Sequence, residues 1–337
     1  MRVTPDEPIV DALPRLAGVG AVIDDDDHLV GTITDAAVRR RLLLEAEWAE
    51  LRCIDLLDDT PVSVPVGASD DDVRALLAER NVRAAAIVDA DGRFVGQTTV
   101  APTLPEVIAV ALAGGKGERL QPLTFDVPKP LLRVGRTSIL ERTLEGLHAS
   151  RVDDVWLAVN YMADMIEERI GDGSLYGLRV QYLREQAPLG SAGPLSLLPS
   201  DPSGPVIVTN TDQITNMSFA RLVDYHVAEQ ADVTVAAFWH EVPVPYGVFD
   251  LAGAELVALR EKPTVRLPCN AGYYVVDPAA IAHVPSGQEY TMVDLMHAVM
   301  RSGGRVAVFP MVETWIDIGT PEELEKALLW SATGGDT

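Results

Sequence analysis

From Glu106 onward, short apolar runs alternate with stretches whose apolar positions recur every three or four residues. The runs at 107–113, 155–160, 180–183, 206–210 and 233–238 predict strands, and the periodic stretches at 138–149, 163–170, 219–229 and 292–300 predict helices. Strands that are apolar on both faces and separated by helices pack into a mostly parallel sheet with helices on both sides, a Rossmann-like α/β arrangement. Sheets of that kind bind ligands beyond the carboxyl ends of their strands.

The first hundred or so residues follow another pattern, and it occurs twice. Ala21-Val-Ile-Asp-Asp-Asp-Asp-His-Leu-Val-Gly31-Thr-Ile-Thr34 matches Ala86-Ile-Val-Asp-Ala-Asp-Gly-Arg-Phe-Val-Gly96-Gln-Thr-Thr99 at an offset of 65 residues. Each copy reads as a strand, an acidic turn and a second strand. Helical stretches precede the copies at 9–16 and 71–79, and another follows the first copy at 36–50. Asp24 to Asp27 admit two readings, a metal loop or a solvated turn; the equivalent Asp89-Ala-Asp91-Gly92 favours the turn. Pro102-Thr-Leu-Pro105 then marks an extended joint, dividing the chain into residues 1–105 and 106–337. The duplicated β-α-β-β-α unit resembles a tandem pair of CBS (cystathionine-β-synthase-type) domains, which implies a regulatory or oligomer-forming module. CBS pairs often bind adenine nucleotides through an acid three residues after the Thr of Gly-x-x-Thr. Ala37 and Pro102 stand at those positions here, which favours a scaffold over a sensor.

Composition narrows the partners. The chain's 337 residues have room for two cores. Its 50 acids against 27 bases leave a net charge of −23, a field that repels polyphosphate backbones and anionic membranes. Neither nucleic acid nor membrane is therefore expected as a partner, and any bound phosphate needs a local basic pocket. No apolar run approaches the ~20 residues that span a bilayer. The start from Met1 to Asp11 lacks the basic and apolar segments of a signal peptide, so a cytoplasmic protein is expected. Cys53 and Cys269 read as packed thiols, and the six histidines show no metal-ligand spacing. The bases are nearly all arginine; the only lysines are Lys116, Lys129, Lys262 and Lys326. A compact ammonium acts on phosphate as a point charge, a role that a planar guanidinium does not simply take over. Three of the four lysines lie in motifs.

The apolar run ending in Leu112 and Ala113 leads into Gly114-Gly115-Lys116-Gly117-Glu118-Arg119. Three glycines in four residues bare backbone N–H groups to a polyphosphate, and Lys116 and Arg119 add charge; taken alone, the glycines read equally as a tight turn. The run is not a Walker loop, and Leu120 breaks the dinucleotide fingerprint. Beyond it, Pro128-Lys129-Pro130 restrains the backbone on both sides of a lysine. The stretch from Leu112 to Leu132 resembles the signature of the sugar-1-phosphate nucleotidyltransferases, Gly-Gly-x-Gly-x-Arg-Leu-x-Pro-Leu-Thr followed by Pro-Lys-Pro, and the resemblance continues through most of 106–331.

That resemblance implies the nucleotidyltransferase fold and a set of roles. Leu112, Ala113, Gly114, Gly115, Lys116 and Gly117 would bind the nucleoside triphosphate, Arg119 would hold the leaving pyrophosphate, and Lys129 would bridge phosphates at the reacting phosphorus. Gln186 and the segment Pro188-Leu-Gly190-Ser191-Ala-Gly193 would lie under the base and ribose, where bare backbone admits a flat ring. Asp212, after the apolar run 206–210, and Asp317, in Trp315-Ile-Asp317-Ile-Gly319-Thr-Pro321, match the family's two Mg²⁺ ligands; singly, each reads as well as a cap or turn residue. Two carboxylates suffice for an ion that keeps several waters and binds phosphate oxygens. Thr211 stands where the family usually has Gly. Tyr246, Gly247, Glu261, Lys262 and Asn270 would bind the sugar phosphate, although Glu261-Lys262 also reads as a surface ion pair.

The implied reaction is attack of a sugar-1-phosphate oxygen on the α-phosphorus of the triphosphate, forming a nucleotide sugar and pyrophosphate. That nucleophile is already anionic, so catalysis rests on alignment and charge neutralisation rather than on a general base. A CBS pair ahead of such a domain, with Asn160-Tyr-Met-Ala-Asp-Met-Ile and Gly171-Asp-Gly-Ser, resembles bacterial guanylyltransferases acting on hexosamine- or heptose-1-phosphate. GTP is thereby favoured, with UTP, dTTP, ATP and CTP open. The Ala- and Arg-rich composition suggests a GC-rich bacterium and adds cyclitol phosphates to the acceptors. The alternative is a non-catalytic regulatory subunit that keeps the fold and only binds ligand, a reading that Thr211 and the altered CBS positions favour and the intact Arg119, Lys129, Asp212, Lys262 and Asp317 oppose. A nicotinamide-dependent dehydrogenase lacks its fingerprint. A homo-oligomer joined through the CBS module is expected.

Overall fold

A computed structural model describes residues 1–16, 18–44, 48–99 and 106–335. The N-terminal part contains β1 (Arg2–Val3), β2 (Val19–Ile23), β3 (Leu29–Thr34), α1 (Asp35–Leu44), β4 (Ser63–Pro65), α2 (Asp70–Arg80), β5 (Ala85–Val88) and β6 (Phe94–Thr98). They form two three-stranded sheets, β1-β2-β3 and β4-β5-β6, each with one parallel and one antiparallel pair. The register slips at Val22/Ile23 in one and at Ile87/Val88 in the other, equivalent positions of the repeat. Asp24 Oδ1 accepts the backbone N–H groups of Asp26 (2.9 Å) and His28 (2.8 Å), and Asp89 Oδ1 accepts those of Asp91 (3.0 Å) and Arg93 (2.8 Å). These carboxylates are thus engaged by their own turns. The turns also join each other: Leu29 donates to Gly92 O at 3.0 Å and Phe94 to Asp27 O at 2.9 Å, equivalent bonds that relate the copies by a pseudo-two-fold.

Two helices are shorter than expected. The 9–16 stretch forms Ile9–Ala12 and then a 3₁₀ turn containing Pro14, which cannot donate to a continuing helix. The 36–50 stretch is α1 only to Leu44, with Trp48–Glu50 a separate 3₁₀ turn. Pro102 and the joint it opens lie outside the described residues. A cleft of about 440 Å³ between the repeats is lined by Thr34, Ala37, Arg40, Arg41, Asp58 and Arg80. Within this cleft Asp58 accepts the hydroxyls of Thr32 (2.8 Å) and Thr34 (3.0 Å); burial pushes its carboxyl above the usual range.

The second part runs through β7 (Ile108–Leu112), α3 (Ile139–Ala149), β8 (Asp154–Val159), α4 (Ala163–Ile170), β9 (Arg179–Arg184), β10 (Val206–Asn210), β11 (Gln213–Thr215), α5 (Phe219–Glu229), β12 (Val233–Pro243), β13 (Val248–Ala252), β14 (Glu255–Arg260), β15 (Thr264–Val276), α6 (Met292–Arg301), β16 (Val306–Pro310), β17 (Trp315–Asp317) and α7 (Pro321–Trp330). Seven strands form one sheet in the order β9-β8-β7-β10-β15-β12-β16, parallel except for β15. Alternate residues of β7 enter opposite apolar layers: Ala109 and Ala111 pack with Leu144 and Leu222, and Val110 packs with Leu295 and Val299. Both faces are therefore buried, as the unbroken apolar run requires. Ser138 with Glu141 and Thr291 with Asp294 close capping boxes that start α3 and α6.

The chain goes from β7 to β8 and β9 on one side, then crosses to β10 on the other. The segments after β7 and β10 thus flank a topological switch point, the usual binding crevice of such a sheet. The antiparallel β15 and the extension of β12 to Pro243 have no counterpart in the expected elements. After a register shift between Val235 and Ala237, β12 and β15 continue out of the core as an arm whose insertion forms the β13–β14 hairpin. Among the described residues no helix is long and apolar enough to cross a membrane, and Cys53 and Cys269 are both free thiols.

Candidate active site

The glycine-rich segment leaves β7 at the switch point. A β-carbon on Gly114 would lie 3.1 Å from Asn160 Cβ and 3.2 Å from Glu185 Oε1, so the segment is seated on the carboxyl ends of β8 and β9. Gly117 abuts Lys129, where an added β-carbon would approach Lys129 Cβ to 2.9 Å, and its carbonyl accepts the Thr124 hydroxyl at 2.9 Å. Ala113 is buried and donates to Ala158 O at 2.8 Å, while Gly115 and Lys116 face solvent.

Thr211 accounts for its own presence. Its hydroxyl donates to Leu112 O at 2.7 Å and its side chain is buried, so it ties the end of β10 to the end of β7. Its backbone is outside the left-handed region, so the position does not demand glycine.

The next residue begins the charged centre. Lys129, only 8% exposed, places Nζ 2.7 Å from Asp212 Oδ2. Asp212 Oδ1 is buried without a hydrogen-bond partner. Antiparallel pairing of β11 with β17 sets Asp317 opposite Gln213, and Ile318 donates to Asp212 O at 3.0 Å. Burial and then the neighbouring Asp212 carboxylate raise the Asp317 pKa, with Lys129 and Arg119 acting the other way. Arg119 and Asp317 converge on Gly319, where an added β-carbon would lie 2.8 Å from a guanidinium nitrogen and 2.8 Å from Asp317 Oδ2. Tyr273, fully buried behind the pair, is held protonated by burial and by the two carboxylates. An orphaned buried carboxylate oxygen beside a second, charge-raised carboxylate fits a hard divalent cation that keeps open positions for phosphate. Among the described residues no cluster of three or more His, Cys, Asp or Glu forms a closed metal cage.

Of the residues expected to bind the nucleotide, Gln186, Pro188 and Gly190 are exposed, and Ser191 Oγ accepts the N–H of Met292 at 2.8 Å, anchoring the start of α6. At Gly190 and Gly193 the side a β-carbon would occupy is taken by the chain itself. Added β-carbons would meet Tyr290 O at 2.8 Å and Gln288 O at 2.9 Å, so on that side the glycines admit a neighbouring segment of the chain, while Gly190 stays exposed on its other side. Glu185 was not among the expected site residues. It follows the edge strand β9 at the ligand-binding end of the sheet; its Oε2 accepts the Leu189 N–H at 2.8 Å, and burial raises its pKa.

Of the residues expected to bind the sugar phosphate, Asn270 accepts the Gly272 N–H on Oδ1 at 2.9 Å and its amide donates to the Tyr274 hydroxyl at 2.8 Å. Gly272, at φ +80°, leaves room for Asn210 and Gln213, which flank Asp212. Trp315 stacks on Phe238 with ring centroids 3.9 Å apart and donates to Ala271 O at 3.0 Å. Gly247 lies against Glu261 on the arm. Tyr246 and Lys262 are exposed there; among the described residues Lys262 makes no ion pair, with Glu261 or any other acid, and no hydrogen bond joins either residue to the carboxylate pair.

Residues 108–332 match the nucleotidyl transferase family, and residues 1–44 and 53–100 match the CBS domain. The chain belongs to the nucleotidyl transferase family. Among its relatives is a mannose-1-phosphate guanylyltransferase of Mycobacterium tuberculosis, 31% identical over 66% of this chain and 63% of that protein. A mannose-1-phosphate guanylyltransferase catalytic subunit beta of Xenopus tropicalis is 33% identical over 64% of this chain and 62% of that one. This family member therefore spans only 62–63% of the length of these relatives. Its fold is shared with a putative glucose-1-phosphate thymidylyltransferase from Bacillus anthracis, crystallised with a sucrose, at TM-score 0.54 and 21% identity over 67% of this chain and 95% of that one. HddC from Yersinia pseudotuberculosis has a TM-score of 0.51 and 24% identity over 66% and 98%.

Proposed function

We propose that this chain transfers a nucleotidyl group from a nucleoside triphosphate to a sugar-1-phosphate, with GTP as the favoured donor. The observation that carries the reading is the convergence of Lys129, Asp212, Asp317 and Arg119 beside the glycine-rich segment. Relatives named mannose-1-phosphate guanylyltransferases support the choice of GTP and put mannose-1-phosphate on the acceptor panel beside hexosamine-, heptose- and cyclitol-1-phosphates.

Bare N–H groups of Gly114 to Gly117 accept the triphosphate, and Arg119 holds the pyrophosphate end, where charge accumulates as the bond to the α-phosphorus breaks. Lys129 exchanges Asp212 for a phosphate oxygen when substrate arrives, because Asp212 and Asp317 are the residues that would hold Mg²⁺. When bound, Mg²⁺ would neutralise phosphate charge and orient the reacting groups. Asn270 and the arm residues Tyr246, Gly247, Glu261 and Lys262 orient the acceptor, whose phosphate monoester attacks as an anion. No side chain needs to remove a proton, in keeping with a site that offers no histidine. The same reading assigns catalysis to 106–337 and self-association to 1–105.

A pyrophosphate-release screen of five nucleoside triphosphates against the acceptor panel, with Mg²⁺, tests this. Highest turnover is expected with GTP and one hexose-derived 1-phosphate. Nucleotide binding without pyrophosphate release from any pair would establish a regulatory subunit instead. Sedimentation of the full chain reads the oligomeric state.

A further inference from the structure

The helix that follows the first repeat sends one side chain out of its own module. Arg39 of α1 is 0% exposed and its guanidinium lies 3.9 Å over the Phe309 ring, in the last strand of the central sheet. It donates to Pro310 O at 2.6 Å, to Glu313 Oε1 at 2.6 Å and to Asp35 at 3.0 Å. Arg221 of α5 completes the cluster through Asp35, Glu313 and the Leu13 carbonyl. Glu313, 6% exposed, also accepts the Val312 N–H at 3.0 Å. Burial would raise its carboxyl, but the Arg39 charge overrides that and keeps it below the usual range. Four residues on is Asp317, and the strand between carries Trp315, bonded to Ala271 beside Asn270. Elsewhere the segment is held by Arg221 on Glu313, by the Met311 N–H on Ala237 O at 2.8 Å and by the Thr314 N–H on Asn216 Oδ1 at 2.9 Å; the hydrogen bonds it receives from the N-terminal module are those of Arg39 on Pro310 and Glu313.

We propose that Arg39 is a positioning residue for the carboxylate pair: the N-terminal module clamps residues 310–313 and thereby fixes the approach of β17 that sets Asp317 beside Asp212. The proposal rests on Asp317 being a cation ligand, as the preceding reading has it. The ion-paired cluster is closed to solvent and made by residues far apart in sequence, so removing Arg39 leaves Glu313 buried with Arg221 alone opposite its charge, which loosens the segment on the side facing the N-terminal module. Partners bonded directly to a metal ligand typically change affinity ~10- to 100-fold when removed, which is the upper range for a support that acts through four residues of chain.

The test uses the full chain and its Arg39→Met and Glu313→Gln variants. Amide hydrogen exchange is followed across 311–318 and, as a control, across β7 and β10. Mn²⁺ alone is titrated by electron paramagnetic resonance. We expect exchange of 311–318 to rise at least ~10-fold with β7 and β10 unchanged, and Mn²⁺ to bind more weakly, by up to ~10- to 100-fold. Glu313→Gln keeps the size and polarity of the side chain and serves if Arg39→Met fails to fold. Folded variants with Mn²⁺ affinity and 311–318 protection within twofold of the parent overturn the proposal, as does a lower melting temperature with affinity unchanged. Neither readout needs turnover, so a parent chain that binds Mn²⁺ but transfers no nucleotide would sink the proposed reaction and leave the clamp standing.

Discussion

Replacing Lys129 by methionine keeps the apolar stem and removes the charge. In the parent, the ammonium lies 2.7 Å from Asp212 and is nearly closed to solvent. An ammonium about 4 Å from an anionic oxygen, at an effective dielectric near 20, is worth at most ~4 kcal/mol. Loss of one preorganised donor to developing charge costs about 2.7–4 kcal/mol, or ~10²- to 10³-fold in turnover. Removing Lys129 also raises the Asp317 pKa further, because Lys129 is one of the charges that hold it down. Asp317 acts as the anion, so the acidic limb of the pH–rate profile moves to higher pH. Initial rates of pyrophosphate release from pH 5 to 9, at saturating Mg²⁺, read both effects. A Lys129→Met protein with a parental melting curve, turnover within threefold and an unmoved acidic limb would refute the reasoning.

Gly272→Ala places a β-carbon 2.5 Å from Asn210 Nδ2 and 2.8 Å from Gln213 Oε1 at a φ of +80°, so it should lose ~1–3 kcal/mol of stability by denaturant unfolding and displace the two residues flanking Asp212, with activity falling more than stability. Burial pushes His226, bonded to Thr234 at 2.9 Å, down to about 4 from 6.5. Between those values the unfolded chain binds more protons than the native one, so this stability is complete above pH 6.5 and declines as pH falls towards 4, with a slope approaching ~1.4 kcal/mol per unit. His226→Gln should flatten that part of the stability–pH curve in chemical denaturation, and an unchanged slope would locate the dependence elsewhere.

Contiguous features were readable from residues alone. The 65-residue repeat and the apolar runs report local backbone states, and all of the expected helices and strands after Glu106 appear within a few residues of their observed bounds. Asp212 is visible as an acid following a buried strand; Glu185 follows an alternating edge strand with charged residues around it, so nothing in the sequence distinguishes it from a surface acid. Long-range pairing was not readable. The register of β11 with β17, which joins Asp212 to Asp317, connects segments a hundred residues apart, and β15 contains Pro268 and little alternation along its outer half. Arg39 and Glu313 each look like ordinary surface charges until the fold closes both from water. The glycines at 190 and 193 signal close approach, and the segment at Gln288–Tyr290 that approaches them is about a hundred residues away in sequence.

The irregularity at Ala236 divides the crevice mechanically. Strands β7 and β10, on the donor side, are locked into a layer buried on both faces, whereas β12 and β15 beyond the irregularity form a cantilever with both surfaces wetted. Substitutions along the outer part of that cantilever, from His240 out and back to Leu267, touch no buried core residue, so on the proposed reading the acceptor contacts can be altered at little cost to folding, whereas changes in β7 or β10 lower the stability of the sheet itself.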